Sequence, residues 1–129
     1  MPGSGFQLFD GVNTGVERVL DLRMAQTTLV AGNLANADTP GYLAKEIPFK
    51  DLLSDVMERA IGGAEDLPDP NSVEVTEREA LVTDLDGNSV DLEQQAGIMA
   101  SNQVLYSALS TGVSRRLALL RFAASDGRG

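Results

Sequence analysis

The chain contains no cysteine and no histidine among its 129 residues. Their absence excludes disulfides, thiolate zinc sites and every nucleophile relay that runs through a thiol or an imidazole. It also removes the side chain most often used for acid–base work near neutral pH. A catalytic centre would have to be assembled from Asp, Glu, Lys, Tyr or Ser, and the only lysines are Lys45 and Lys50. No cofactor, metal site or catalytic residue is therefore expected, and the chain reads as a structural protein and not an enzyme. Tryptophan is missing too, and aromatic residues make up only 5%. The large anchors that dominate most cores are scarce, so neighbouring chains are expected to complete the burial. No apolar run is long enough to span a bilayer. The first residues, Met1 to Gly5, offer neither a basic nor an apolar stretch, so no cleavable secretory signal is expected.

What is present is unevenly spread. The net charge of −9 argues against nucleic-acid binding, which needs a basic footprint. Residues 1–44 carry four acids and two bases, residues 45–91 thirteen acids and four bases, and residues 92–129 two acids and four bases. Near-neutral ends and an acidic middle suit a chain whose ends pack together while its centre faces water.

Residues 1–10 are Gly-rich and expected to be loose. Over 12–36 the pattern is helical, with Val12, Val16, Val19, Leu20, Thr27, Val30, Ala31 and Leu34 on one broad face and Arg23 inside it. Leu22 and Leu29 form a second stripe. Pro40 and Gly41 end this helix, and a positive φ is expected at Gly41. Residues 43–48 read as extended. A second helix is expected over 49–61, stopped by Gly62 and Gly63. Pro68 and Pro70 among acids mark a linker, and the run 65–69 is expected to be a solvated loop. Val73 to Val75 and Leu81 with Val82 read as short β-prone pieces, and Asp86 with Gly87 as a turn. The stretch Asp84 to Asn88 has some acids of a calcium loop but puts its glycine fourth and Gln95 where a glutamate is needed, so it reads as a plain turn.

The last helix is expected over 92–122, with Asp91 as N-cap and Gln94 in a capping-box relation to it. Leu92, Met99, Tyr106, Val113 and Leu120 recur at spacings of seven, a heptad seam. The fold class is thus mostly α. Long N- and C-terminal helices form a coiled-coil-like polymerisation core, joined by a short middle helix and a small β/loop insert. Three regions follow: 1–42, the N-terminal helix and turn; 43–88, the acidic middle insert; and 89–129, the C-terminal heptad helix. The assembly seam is expected to use Val16, Leu20, Val30, Leu34, Leu92, Met99, Tyr106, Val113 and Leu120. The end helices could pair as an antiparallel hairpin, but two-sided apolarity favours a multi-chain sheath. Small neutral side chains, Gln103, Ser107, Thr111 and Ser114, are placed opposite the seam, where exposed helix faces more often carry Lys, Glu or Arg.

The stretch NLANADTPGY over 33–42 is the most informative. Its Asn33, Asn36, Asp38, Thr39, Pro40, Gly41 and Tyr42 suffice physically for a capped helix end and a tight turn. The whole string also resembles the signature that bacterial flagellar rod and hook axial proteins carry at the end of their first helix. Asn88 to Glu93, followed by Met99, Asn102, Gln103 and Tyr106, is similar to the closing helix of the B-type proximal rod subunits of that family. One departure is Leu43, where a basic residue is expected after the Gly-Tyr pair.

The resemblance implies a structural subunit of the proximal rod, the drive shaft of the flagellar basal body, that self-assembles through its terminal helices and transmits torque. It implies export through the flagellar type III apparatus without a cleaved signal, and a place in the periplasmic rod. The implied partners are copies of the chain, other proximal rod proteins, the small rod-base adaptor, membrane-ring proteins and the export gate, with no nucleic acid and no membrane span. Phe49 and Leu53 resemble the Phe-x-x-x-hydrophobic element by which such subunits dock on that gate, although an i,i+4 apolar pair is also what any amphipathic helix contains. The four small polar residues of the last helix are, on this resemblance, candidates for the lining of the rod's channel. A C-type proximal rod subunit and an acidic type III secretion chaperone or adaptor are the rival readings.

Overall fold

The computed structural model describes residues 4–78 and 85–125, with side chains from residue 10 onward. Three helices carry the architecture: α1 (Ser4–Ala35), α2 (Phe49–Ile61) and α3 (Leu92–Ala124). Helix α1 starts well before the expected position 12, so the Gly-rich start is helical from Ser4. Between the helices lie two very short strands, β1 (Lys45–Glu46) and β2 (Thr76–Glu77), paired antiparallel with Lys45 opposite Glu77. A 3-10 turn, Pro70–Ser72, is capped by the Asp69 carboxylate, which accepts from the Asn71 amide at 2.9 Å.

The helix boundaries follow from local chemistry. Asp91 caps α3 by accepting from the Gln94 amide at 3.0 Å, which satisfies one of the orphan donors of the first turn. The Gln94 side chain does not close a capping box but accepts from Arg78 instead. Helix α2 ends at Gly62, and Gly63 takes a φ of 74°. The expected β-prone pieces resolve differently. The strand lies at 76–77 rather than 73–75, and Leu81 and Val82 lie outside the described residues.

Helices α1 and α3 run antiparallel: Asn33 meets Gln95, Arg23 meets Asn102, and Val16 shares a groove with Leu105 and Leu109. Helix α2 crosses the first half of α1, where glycine allows close approach. A Cβ on Gly15 would lie 2.6 Å from the Ala60 Cβ, and one on Gly11 would lie 3.0 Å from the Ala60 carbonyl oxygen. The buried core is small: Leu22, Val30, Ala44, Ile47, Val56, Ala60 and Leu67.

The acidic middle does not simply face water. Leu67 and Pro70 are buried, and Arg18 of α1 lies 3.9 Å from Asp69. Pro70, Asn71 and Val73 line one groove with Asp21, Ala25 and Leu29 of α1. Of the second apolar stripe of α1, Leu22 is fully buried and Leu29 faces the chain's own middle across this groove.

Candidate functional site: the signature turn and the helix seam

The residues of 33–42 form a turn held by side-chain amides. Past the end of a helix the chain's backbone groups need partners that the helix cannot supply. Asn33, fully buried, supplies them to Lys45 on both its amide and its carbonyl. Its Nδ2 donates to the Lys45 carbonyl at 2.8 Å and to Gln95 Oε1 at 3.0 Å. Its Oδ1 accepts from the Lys45 amide at 2.8 Å and from the Tyr42 hydroxyl at 3.3 Å. Asn36 donates back to the Gly32 carbonyl at 2.8 Å and accepts from the Thr39 hydroxyl at 3.1 Å. Asp38, Thr39 and Pro40 are exposed at the tip.

A second buried amide closes the turn from the other end of the chain. Asn88 Nδ2 donates to the Asn36 and Thr39 carbonyls at 2.9 and 2.7 Å. Its Oδ1 accepts from the Val90 amide at 2.8 Å. Ser89 adds to the clasp, because its hydroxyl accepts from the Ala44 amide at 2.7 Å. Gly41 adopts a φ of 72° and donates to the Asp86 carbonyl at 2.8 Å. Gly87, at a φ of 77°, approaches so closely that a Cβ there would lie 3.6 Å from the Gly41 Cα. Asp86 and Gly87 form the expected plain turn; Asp84, the first acid of the calcium-like stretch, lies outside the described residues.

The α1–α3 seam is polar at its heart. Gln95 and Asn102, seven residues apart, are the buried residues of α3. Asn102 accepts from Arg23 Nη1 at 3.0 Å and donates to Gln26 Oε1 at 2.8 Å. Ile98, Leu105 and Leu109 complete the face towards α1.

The expected heptad row lies beside this face rather than on it. Val30 is buried, and Val16, Leu20, Leu34, Met99 and Val113 are partly buried. Leu92, Tyr106 and Leu120 remain 56%, 37% and 53% exposed. Gln103, Ser107 and Thr111 are exposed and line a groove together with Met99 and Tyr106. At 100° per residue Gln103 lies about 50° from the row at its own height, Ser107 about 100° and Thr111 about 150°, so the set runs from the flank of the row to its far side. Ser114 is exposed further along α3.

Phe49 and Leu53 are engaged inside the fold. The Phe49 ring centroid lies 5.2 Å beneath the Arg23 guanidinium, a cation–π geometry. Leu53 walls the groove between the three helices. Burial lowers the pKa of Arg23 from its ordinary value. Five engaged residues, Arg23, Asn88, Ser89, Gln95 and Asn102, were not among the expected site residues. Their signal was available, since polar side chains at heptad spacing inside an apolar face point to a paired network.

No family model matches the chain. Comparison with curated proteins is decisive. The chain is similar to the flagellar basal body rod protein FlgB of Escherichia coli (strain K12), 31% identical over 115 residues that cover 78% of this chain and 83% of the relative. The chain belongs to the flagellar basal body rod protein FlgB family. The protein of that name from Bacillus subtilis (strain 168) is 26% identical over 127 residues, covering 94% and 98% of the two chains. That of Salmonella typhimurium is 33% identical over 105 residues, covering 70% and 75%. Membership makes this chain a structural protein of the flagellar rod, with other flagellar components as its partners. Among the described residues no helix is long and apolar enough to cross a membrane.

Proposed function

We propose that the chain is a self-assembling subunit of the proximal rod that carries torque between neighbours and has no catalytic role. The observation that carries this is the uncovered apolar surface of α3. Leu92, Leu119, Leu120 and Phe122 are 53% to 69% exposed, although the chain is only 43% apolar and has few large side chains to spare. Each such side chain contributes about 1.5–3 kcal/mol when fully buried. Spread round one helix, they stabilise contacts with several neighbours, whereas a compact secretion chaperone would bury them within its own fold.

The partners on this reading are copies of the chain, other proximal rod proteins, the rod-base adaptor and the membrane-ring proteins around them. Phe49 and Leu53 would meet the export gate before folding, since folding occupies both with Arg23 and the helix groove. Gln103, Ser107, Thr111 and Ser114 are exposed, small and uncharged, and are proposed to face the channel of the assembled rod. Electron microscopy of purified basal bodies carrying a label on this subunit tests the assignment. Density for the label at the membrane-proximal end of the rod is expected, and its absence from the rod overturns the reading.

A further inference from the structure

Two neighbouring columns of α3 compete for α1. The column that α1 takes repeats every seven residues as Gln95, Asn102, Leu109 and Arg116, and its Gln95 and Asn102 are the buried residues of α3. The next column, about 50° round the helix at 100° per residue, is the row Leu92, Met99, Tyr106, Val113 and Leu120. That row holds no amide side chain and no charge, and its Leu92 and Leu120 stay more than half exposed. Apolar burial is the main driving force for helix pairing, and it grows with the area covered. On that ground alone α1 should take the row. A turn of α3 about its own axis by about 50° would bring the row to the centre of the seam. The fold does the opposite and buries the two amides.

Helix α1 explains the choice. Its Asn33 and Arg23 are 1% and 9% exposed, so their donors cannot turn to water. Asn33 Nδ2 donates to Gln95 Oε1 and Arg23 Nη1 to Asn102 Oδ1, each at 3.0 Å, and Asn102 Nδ2 donates to Gln26 Oε1 at 2.8 Å. Turning α3 would carry both amides off the centre of the seam and break these bonds. No side chain of the row except Tyr106 carries an oxygen or nitrogen to replace them. Arg23 can least lose a partner, since its Nε already lacks one. A buried donor left unpaired costs more than a hydrogen bond gains. In coiled coils a single buried polar residue on the seam sets register and partner, and here two stand seven residues apart. We infer that the Asn33–Gln95 and Arg23–Asn102 pairs select which face of α3 the chain's own α1 takes, so that the apolar row is kept outward for neighbouring copies. The second half of this inference rests on the self-assembly proposed above.

The test compares the whole chain with a variant carrying Arg23→Leu, Gln95→Leu and Asn102→Leu. Because the chain has no cysteine, single cysteines report the faces: Tyr106→Cys on the row and Ile98→Cys on the side towards α1. Alkylation is followed on dilute subunit whose circular dichroism is helical. Loss of the pairs is expected to slow alkylation at 106 and speed it at 98, each by at least about threefold, as the two faces exchange exposure. Unchanged rates at both positions overturn the selector. If the triple variant does not fold, the rates are read on Arg23→Leu with Asn102→Leu, which keeps the Asn33–Gln95 bond. Failure of that variant to fold also overturns the selector, because the pairs then hold the hairpin and do not choose its face. Incorporation into basal bodies, in cells lacking the native copy, tests the second half separately. It is expected to fall by about tenfold or more, the worth of one large side chain no longer buried at a contact. If the alkylation rates exchange and incorporation does not change, the selector stands and assembly through the row falls.

Discussion

The Asn33 side chain donates to Gln95 Oε1 at 3.0 Å, joining two residues that stand 62 positions apart. Both are buried, so each is the other's substitute for water. The bond ties the last turn of α1 to the first turn of α3. Asn33→Leu removes four hydrogen bonds and strands the Lys45 amide and the Gln95 side chain. Each buried group left unpaired costs about 1–3 kcal/mol, so a loss of about 2–5 kcal/mol is expected. Urea unfolding of the isolated subunit, followed by far-UV circular dichroism, measures it. A change below about 1 kcal/mol contradicts the buried network.

Gly41 offers a separate test of the turn. Its φ of 72° lies in the left-handed region, and nothing crowds the space a Cβ would take. The cost of a side chain there is conformational alone. Gly41→Val is expected to lose about 1–2 kcal/mol, with Gly41→Asn losing much less because Asn tolerates that region. Equal losses from the two would mean that the turn does not hold this conformation in solution.

The crossing of α1 and α2 depends on Gly15. Its missing Cβ would lie 2.6 Å from the Ala60 Cβ, closer than carbon atoms can approach. Gly15→Ala must push α2 outward, at about 1–3 kcal/mol for overpacking. Ala60→Gly opens the opposing space and should recover part of that loss. A double-mutant cycle on thermal unfolding reads the coupling, and simple additivity of the two changes rules out the contact.

Amide exchange on dilute subunit separates the two ends of α3. The first end, Leu92 to Asn102, is tied to α1 through Gln95 and Asn102. Beyond Arg116 the side chains are exposed on every side. Protection is expected to fall from Asn102 towards Ala124, with the middle of α1 among the slowest segments, since local opening follows burial. Uniform strong protection to the end of α3 in a proven monomer would contradict it.

The proposed channel lining has its own consequence. Ser107→Trp should leave the subunit secreted and incorporated, because Ser107 is exposed. Later export of hook and filament proteins should then fall severalfold, measured by immunoblot of culture supernatant. Labelling of a cysteine at 107 from the outside of assembled rods would end that assignment.

Much of this fold was legible because its signals are local. Asp91, Gly62 and Gly63 mark helix ends through caps and conformational freedom, and the structure places α2 at 49–61 as expected. Gly41 and the Pro40 turn were legible for the same reason. The start of α1 was not, since Gly3, Gly5 and Gly11 lower helix propensity. The apolar row of α3 was visible, but not which flank of it faces α1. That choice is made by Gln95, Asn102 and Arg23, whose pairing is long-range and leaves no periodic trace beyond a spacing of seven. The groove that Leu29 shares with the acidic middle was missed because charge density there masks Leu67 and Pro70.

The contact of Gly41 with Asp86 and Gly87 has one more consequence. The chain leaves the end of α1 and returns towards α3 through a single doorway, closed by two backbone bonds, from Gly41 to Asp86 at 2.8 Å and from Ser89 to Tyr42 at 2.9 Å. Seen from the two long helices, everything between is a guest that enters and departs at the same sill. Lengthening such a guest moves neither post. Its closure entropy grows only with the logarithm of its length, about 0.6 kcal/mol for each doubling. Extra residues can therefore be added between Tyr42 and Asp86 at small cost wherever β1, α2 and their contacts with α1 are kept, with the clasp and the α1–α3 pair as a fixed frame.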